Sequence, residues 1–209
     1  MSRSPVLALF AVFALSSSTA RAEEVPLEAL PGVRLRAAFA LALAGSGEVA
    51  LRGDGPGDLV GLYEGTSGIA AGAEVRGGWV HGSGFGMELR IGAAGLSLLE
   101  EARRAVMPTS TVDRPLLVEV GPTFSFGRAL PLERVALEMR LEAGAAWARV
   151  VREPTQGISL HVGAELGIFF TPHFAVVLGA GYRWVELLDP DRVKGGEVYL
   201  RLGPTVRFP

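Results

Sequence analysis

From Val198 to Phe208 every second residue is apolar: Val198, Leu200, Leu202, Pro204, Val206 and Phe208. Between and before them stand Glu197, Tyr199, Arg201, Gly203, Thr205 and Arg207. Successive side chains of a strand point to opposite faces, so this period of two predicts a single strand with one apolar and one polar face. A helix would spread the same residues around its whole circumference. Length narrows the reading further, because a strand of about twelve residues is twice the usual globular length and suits a tilted membrane crossing.

The same pattern recurs along the chain. It predicts strands at 32–44, 68–80, 85–95, 115–127, 134–149, 158–170, 174–185 and 196–208. Roughly eleven residues at about 3.3 Å each, tilted near 45°, span about 25 Å of apolar band. The connections alternate: long at 45–67, 96–114, 151–157 and 186–195, short at 81–84, 128–133 and 171–173. Short periplasmic turns and longer external loops are the asymmetry of outer-membrane barrels. Within the second long loop, Leu98, Leu99, Ala102 and Val106 are spaced for a short amphipathic helix over 97–106. The fold expected is all-β, an eight-stranded antiparallel up-and-down transmembrane β-barrel preceded by a cleaved signal peptide.

That leader is read from Met1-Ser2-Arg3, an apolar run from Val6 to Leu15, and the small-x-small site Ala20-Arg21-Ala22. Ten apolar residues cannot cross a bilayer, so 1–22 is a secretory signal peptide and 23–209 the barrel domain. Residues 24–31, with two prolines, form a lead-in. Without Arg3 and Arg21 the chain holds 18 basic and 22 acidic residues, a net charge near −4. Nucleic-acid binding, which needs a basic surface, is not expected. The sequence has no cysteine, which excludes disulfides and thiolate metal sites. Nineteen of the 20 basic residues are arginine and asparagine is absent, so Gly, Pro and Asp must make the turns.

Alternation alone does not say which face meets lipid. The polar face carries Arg34, Arg36, Arg76, Arg90, Arg140, Arg183, Arg201 and Arg207 with Glu74, Glu88, Glu119, Glu138, Glu142, Glu165 and Glu197. Near-equal numbers of opposite charge suit a closed interior in which each must pair. The same face is rich in glycine, as a narrow eight-stranded lumen filled by long side chains requires. On the apolar face, Trp79, Phe85, Phe126, Phe170, Phe174 and Phe208 fall at the turn end, and Trp147, Tyr182 and Trp184 at the loop end. Such rings mark the two membrane interfaces.

In these features the chain resembles the small eight-stranded outer-membrane barrels of the OmpA and OmpX type. The resemblance is architectural and covers nearly all of 23–209. It implies residence in the outer membrane of a Gram-negative bacterium, contact with outer-membrane lipid and lipopolysaccharide, and a monomer. It also implies recognition of the C-terminal strand by the barrel-assembly machinery. Such barrels typically end in an aromatic residue; here Phe208 is penultimate, before Pro209, and no peptidoglycan-binding domain is expected.

Eight strands leave a lumen filled by side chains, which argues against a solute channel and makes the Arg/Glu set structural. Catalytic, cofactor and metal sites are not expected. Ser159, His161 and Glu165 share an inward face, and lipid A-modifying barrel enzymes use comparable residues, but an acyl ester would not reach the interior. His81 and His173 sit in turns without carboxylates at ligand spacing. The segment Gly53-Asp54-Gly55-Pro56-Gly57-Asp58 lacks the third carboxylate and closing glutamate of a calcium loop. The function expected is a structural or surface-interaction role carried by the external loops. A soluble periplasmic lipocalin-like barrel binding an apolar ligand, or a lipid A-modifying enzyme, are the alternatives.

Overall fold

The computed structural model describes residues 31–52, 59–96, 98, 101–102, 105, 116–129, 134–149, 154–189 and 192–208. The expected signal peptide and its cleavage site, most of the expected lead-in and the Gly53–Asp58 segment lie outside the described residues. The strands are β1 (Gly32–Arg52), β2 (Leu59–Ser67), β3 (Ala70–Val80), β4 (Phe85–Gly95), β5 (Leu116–Ala129), β6 (Val135–Arg149), β7 (Pro154–Thr171), β8 (Phe174–Asp189) and β9 (Arg192–Phe208). All pairings are antiparallel between neighbours, and β9 pairs back onto β1. Because β2 pairs with the upper half of β1 while β3 pairs with the lower half, β2 and β3 together make one stave. The result is an eight-stranded barrel closed through β1, β3–β9 and the β9–β1 pairing, while at the loop end β2 pairs with β1 alone.

At the turn end the hairpins are tight. Between β3 and β4, His81 N donates to Phe85 O and Gly84 N to His81 O. Gly84 has φ +86°, and a Cβ there would run into the Gly127 carbonyl, so only glycine fits this corner.

The loop end departs from expectation. The segment 45–67, expected as a loop of 23 residues, is mostly strand: β1 runs on to Arg52 and β2 returns from Leu59. The 151–157 and 186–195 loops are likewise shortened, since β7 starts at Pro154, β8 reaches Asp189 and β9 begins at Arg192. The sequence signal was masked by a β-bulge. Pairing with β9 passes from Ala42↔Tyr199 to Ala44↔Val198, so Leu43 is an extra residue and the facing of β1 reverses there. Below the bulge Leu35, Phe39 and Leu41 face outward; above it Glu48 is exposed and Val49 is buried. A reversal of parity in mid-strand, among five small residues (Ala42, Ala44, Gly45, Ser46, Gly47), reads as an aperiodic loop.

The apolar face is outside. Leu141 is 57% exposed, Phe39 78% and Leu200 38%, whereas Arg140 and Glu88 are 3% and 2% exposed. A water-soluble barrel would show the reverse, since monomers rarely expose contiguous apolar patches beyond a few hundred Å². The hydrocarbon of a bilayer is the solvent in which this wall is stable.

Candidate functional site

Inward parity brings the polar positions of eight staves into one lumen. Arg34, Arg36, Glu74, Arg76, Glu88, Arg90, Glu119, Glu138, Arg140, Glu142, Glu165, Arg183, Glu197 and Arg201 are all buried, while Arg207 is half-buried at the turn end. Burying this many charges in a low-dielectric barrel is tolerable only if each meets a counter-charge in good geometry.

Near the turn end, Arg34 donates from Nε to Glu88 (2.7 Å), from Nη1 to Glu138 (2.6 Å) and from Nη2 to Ser125 (3.2 Å). Arg36 shares Glu138 at 2.7 Å and reaches across the barrel to Glu165. Glu165 is the hub of the middle level. One carboxylate on β7 receives Arg36 from β1, Arg76 from β3 (2.6 Å) and Arg140 from β6. Higher up, Glu142 takes a bidentate pair from Arg201 at 2.7 and 3.1 Å and a contact from Arg90 at 3.1 Å. The Arg201 guanidinium also lies 4.4 Å over the Tyr199 ring, a buried cation–π contact. At the top, Glu119 and Glu197 both pair with Arg183, and Glu119 also receives Arg90 at 3.2 Å.

His161 completes this upper level. Its Nε2 is 2.8 Å from Glu119 Oε1 and its Nδ1 is 3.1 Å from Arg201 Nη2. A neutral ring protonated at Nε2 donates to this carboxylate and accepts from Arg201 at Nδ1, but it offers no acceptor to Arg90 Nη2, which lies 3.1 Å from the same Nε2. Ser125, His161 and Tyr199 are network members that sequence reasoning left out of the charge set. Their inward parity was the available signal, but nothing in one strand shows that a histidine or a tyrosine meets a charge.

The residues of the alternative catalytic reading are brought together only loosely. Ser159, His161 and Glu165 share an inward face, but Ser159 Oγ has no hydrogen-bond partner among the described residues. His161 is engaged with Glu119, and Glu165 with three arginines. Among the described residues no cluster of three or more His, Cys, Asp or Glu side chains could hold a metal ion.

Above the charges the interior chemistry changes. Val49, Leu117, Ala146, Ala148, Val185, Leu187 and Val193 point inward and form an apolar cluster with Leu96, Leu98 and Ala102, against which Tyr63 packs. Leu98, Glu101, Ala102 and Ala105 are helical, within the 97–106 segment expected as an amphipathic helix. Leu98 and Ala102, one turn apart, are its buried face. The barrel therefore has two levels: polar inside and apolar outside below, and apolar inside with a mixed outer face above, where Glu48, Glu64 and Lys194 are exposed beside Leu62 and Leu188. Replacing Leu98 with aspartate should cost about 2–4 kcal/mol by removing a core side chain and burying a charge. Amide exchange should then quicken at the loop ends of β5, β8 and β9 while the turn-end strands keep their protection.

All nine aromatics expected to form girdles point outward. Trp79, Phe85, Phe126, Phe170 and Phe208 at the turn end are 46–57% exposed, with Phe174 less so. Trp147 and Tyr182 at the loop end are 40% and 45% exposed, and Trp184 is half-buried. Phe39 and Phe124 are also exposed on the outer wall, whereas Phe169 turns inward.

No protein-family model matches the sequence, and no curated protein matches it. Solved structures do. Neisserial surface protein A is similar at TM-score 0.57 and 13% identity, over 85% of this chain and 97% of that one. Ail, the attachment invasion locus protein of Yersinia pestis, is similar at TM-score 0.42 and 18% identity, over 86% of this chain and 100% of that one. At 13% identity the likeness to Neisserial surface protein A is one of fold.

Proposed function

Starting from the fact that this chain has the fold of the small eight-stranded outer-membrane β-barrels, we propose that it is a non-conducting, non-enzymatic barrel of the Gram-negative outer membrane. In this reading the lumen is a structural strut and function resides at the exposed loop end. The observation that carries it is closure of the interior at two successive levels. The cross-lumen ion pairs fill the membrane level, and the Leu98–Ala102 helix with its apolar cluster fills the level above. Cavities between these side chains, among the described residues, measure about 20 and 10 Å³, room for roughly one water molecule each. A hydrated ion needs a continuous path, and such cavities do not supply one.

The wall would meet phospholipid at the turn-end aromatics and lipopolysaccharide at the loop-end aromatics, as a monomer, with the β9 strand and Phe208 serving recognition by the assembly machinery. Planar-bilayer recording of the refolded protein in concentrated KCl is expected to give no steps above the bare-membrane baseline. Steady, ion-selective conductance would overturn the reading. For orientation, cysteine placed at Glu64 should react with a membrane-impermeant maleimide on intact cells, and cysteine at Ser83 only after the outer membrane is breached.

A further inference from the structure

The conflict at His161 leaves a buried donor unmet. Its Nδ1 accepts from Arg201 Nη2, so the proton of the neutral ring is on Nε2 and goes to Glu119 Oε1 at 2.8 Å. Arg90 Nη2 faces that same nitrogen and makes no other hydrogen bond among the described residues. A buried acceptor is also unmet, since Glu74 Oε1 receives no hydrogen bond among the described residues. Arg90 and Glu74 are 1% and 5% exposed, and both line one cavity of about 20 Å³. The space exists because Ala42, Gly72, Gly92 and Ala94 on β1, β3 and β4 stand opposite long side chains from β5, β7, β8 and β9. Unmet buried polar groups are costly, and a cavity between them is where a hydrogen-bonding guest is stabilised.

We propose that this cavity binds one water molecule, which accepts from Arg90 Nη2 and donates to Glu74 Oε1. The volume admits a single water and no larger guest. The charge of the lining selects a neutral one. Glu74, Glu119 and Glu197 stand against Arg90, Arg183 and Arg201, and an ion of either sign would unbalance them. Arg90 Nη1 is 3.8 Å from Glu74 Oε2, so one molecule can touch both side chains. With the water accepting from Arg90, a single tautomer of His161 serves Glu119 and Arg201 without conflict. Neither Arg34 nor Glu165 lines this cavity, which makes the lower ionic level an internal reference.

The test is water-to-protein magnetisation transfer, read by solid-state NMR on the isotope-labelled 23–209 chain refolded in phosphatidylcholine vesicles. Transfer should reach Arg90 Cζ sooner than Arg34 Cζ, and Glu74 Cδ sooner than Glu165 Cδ. The members of each pair are buried alike, the arginines both 1% exposed and the glutamates 5% and 2%. Equal build-up within either pair overturns the site. Gly92→Ala should abolish the difference in both pairs. A Cβ there would stand 3.3 Å from Arg90 Nη1 and 3.5 Å from Glu74 Cβ, near enough to displace a water between them without a backbone clash. Early transfer that persists in this variant overturns the proposal. Should Gly92→Ala not refold, Ala94→Val narrows the same cavity and carries the same two outcomes. Early transfer that fades in concentrated sodium chloride also overturns it, because the guest would then be an ion.

Discussion

Glu165→Gln is expected to destabilise the barrel by about 3–5 kcal/mol, measured by urea unfolding from vesicles or detergent. The size follows from what the carboxylate holds. Arg36, Arg76 and Arg140 converge on it from three staves, and a neutral amide leaves all three cations without their shared counter-charge. The two water-sized cavities lie elsewhere in the lumen, lined by neither Glu165 nor these three arginines. Glu186→Gln is the control. That carboxylate meets Arg192 at 3.9 Å on the outer rim, with Arg192 56% exposed, and its loss should cost less than about 1 kcal/mol. Equal effects of the two substitutions would mean that the lumen is wet and its pairs individually expendable.

Leu141→Arg is the second large effect, and its sign depends on the solvent of the outer wall. Leu141 faces outward on β6, between Met139 and Ala143, and pairs with Phe124 and Val162 on the neighbouring strands. In a bilayer, arginine at mid-depth on a barrel wall costs about 2–4 kcal/mol. On the surface of a soluble barrel the same change would stay within about 0.5 kcal/mol and would improve solubility. Unfolding of the variant from vesicles measures the difference directly. A neutral result would place this wall in water and restore the soluble-barrel alternative.

The lumen charges and the outward aromatics were legible because facing along a strand is a local property. Each of Arg34, Glu88, Glu119, Arg140 and Arg201 could be assigned to the polar face by counting twos from an apolar neighbour. The same counting failed at Leu43, where one inserted residue reversed the facing and turned a continuing hairpin into an apparent loop. At the loop end Leu117 and Val185 keep the inward parity of Glu119 and Arg183, but Val49 and Val193, inward as well, fell in expected loops. A rule calibrated on the membrane level assigns such residues to lipid or to a loop, because it does not know where the membrane stops.

By itself the sequence determined the strand period, the separation of apolar from ionic side chains and the closed barrel these require. A charge cannot sit in hydrocarbon, and an open sheet edge cannot either. Only the tertiary structure decided which arginine meets which glutamate. Arg36 and Glu165 are 129 residues apart, and Arg34 and Glu138 are 104 apart. Their meeting depends on the stagger of every intervening strand and on position around the barrel, and no single strand's pattern encodes either. The helix over the apolar loop-end cluster belongs to the same class: its buried face was readable from Leu98 and Ala102, but the surface it covers exists only once the staves have closed.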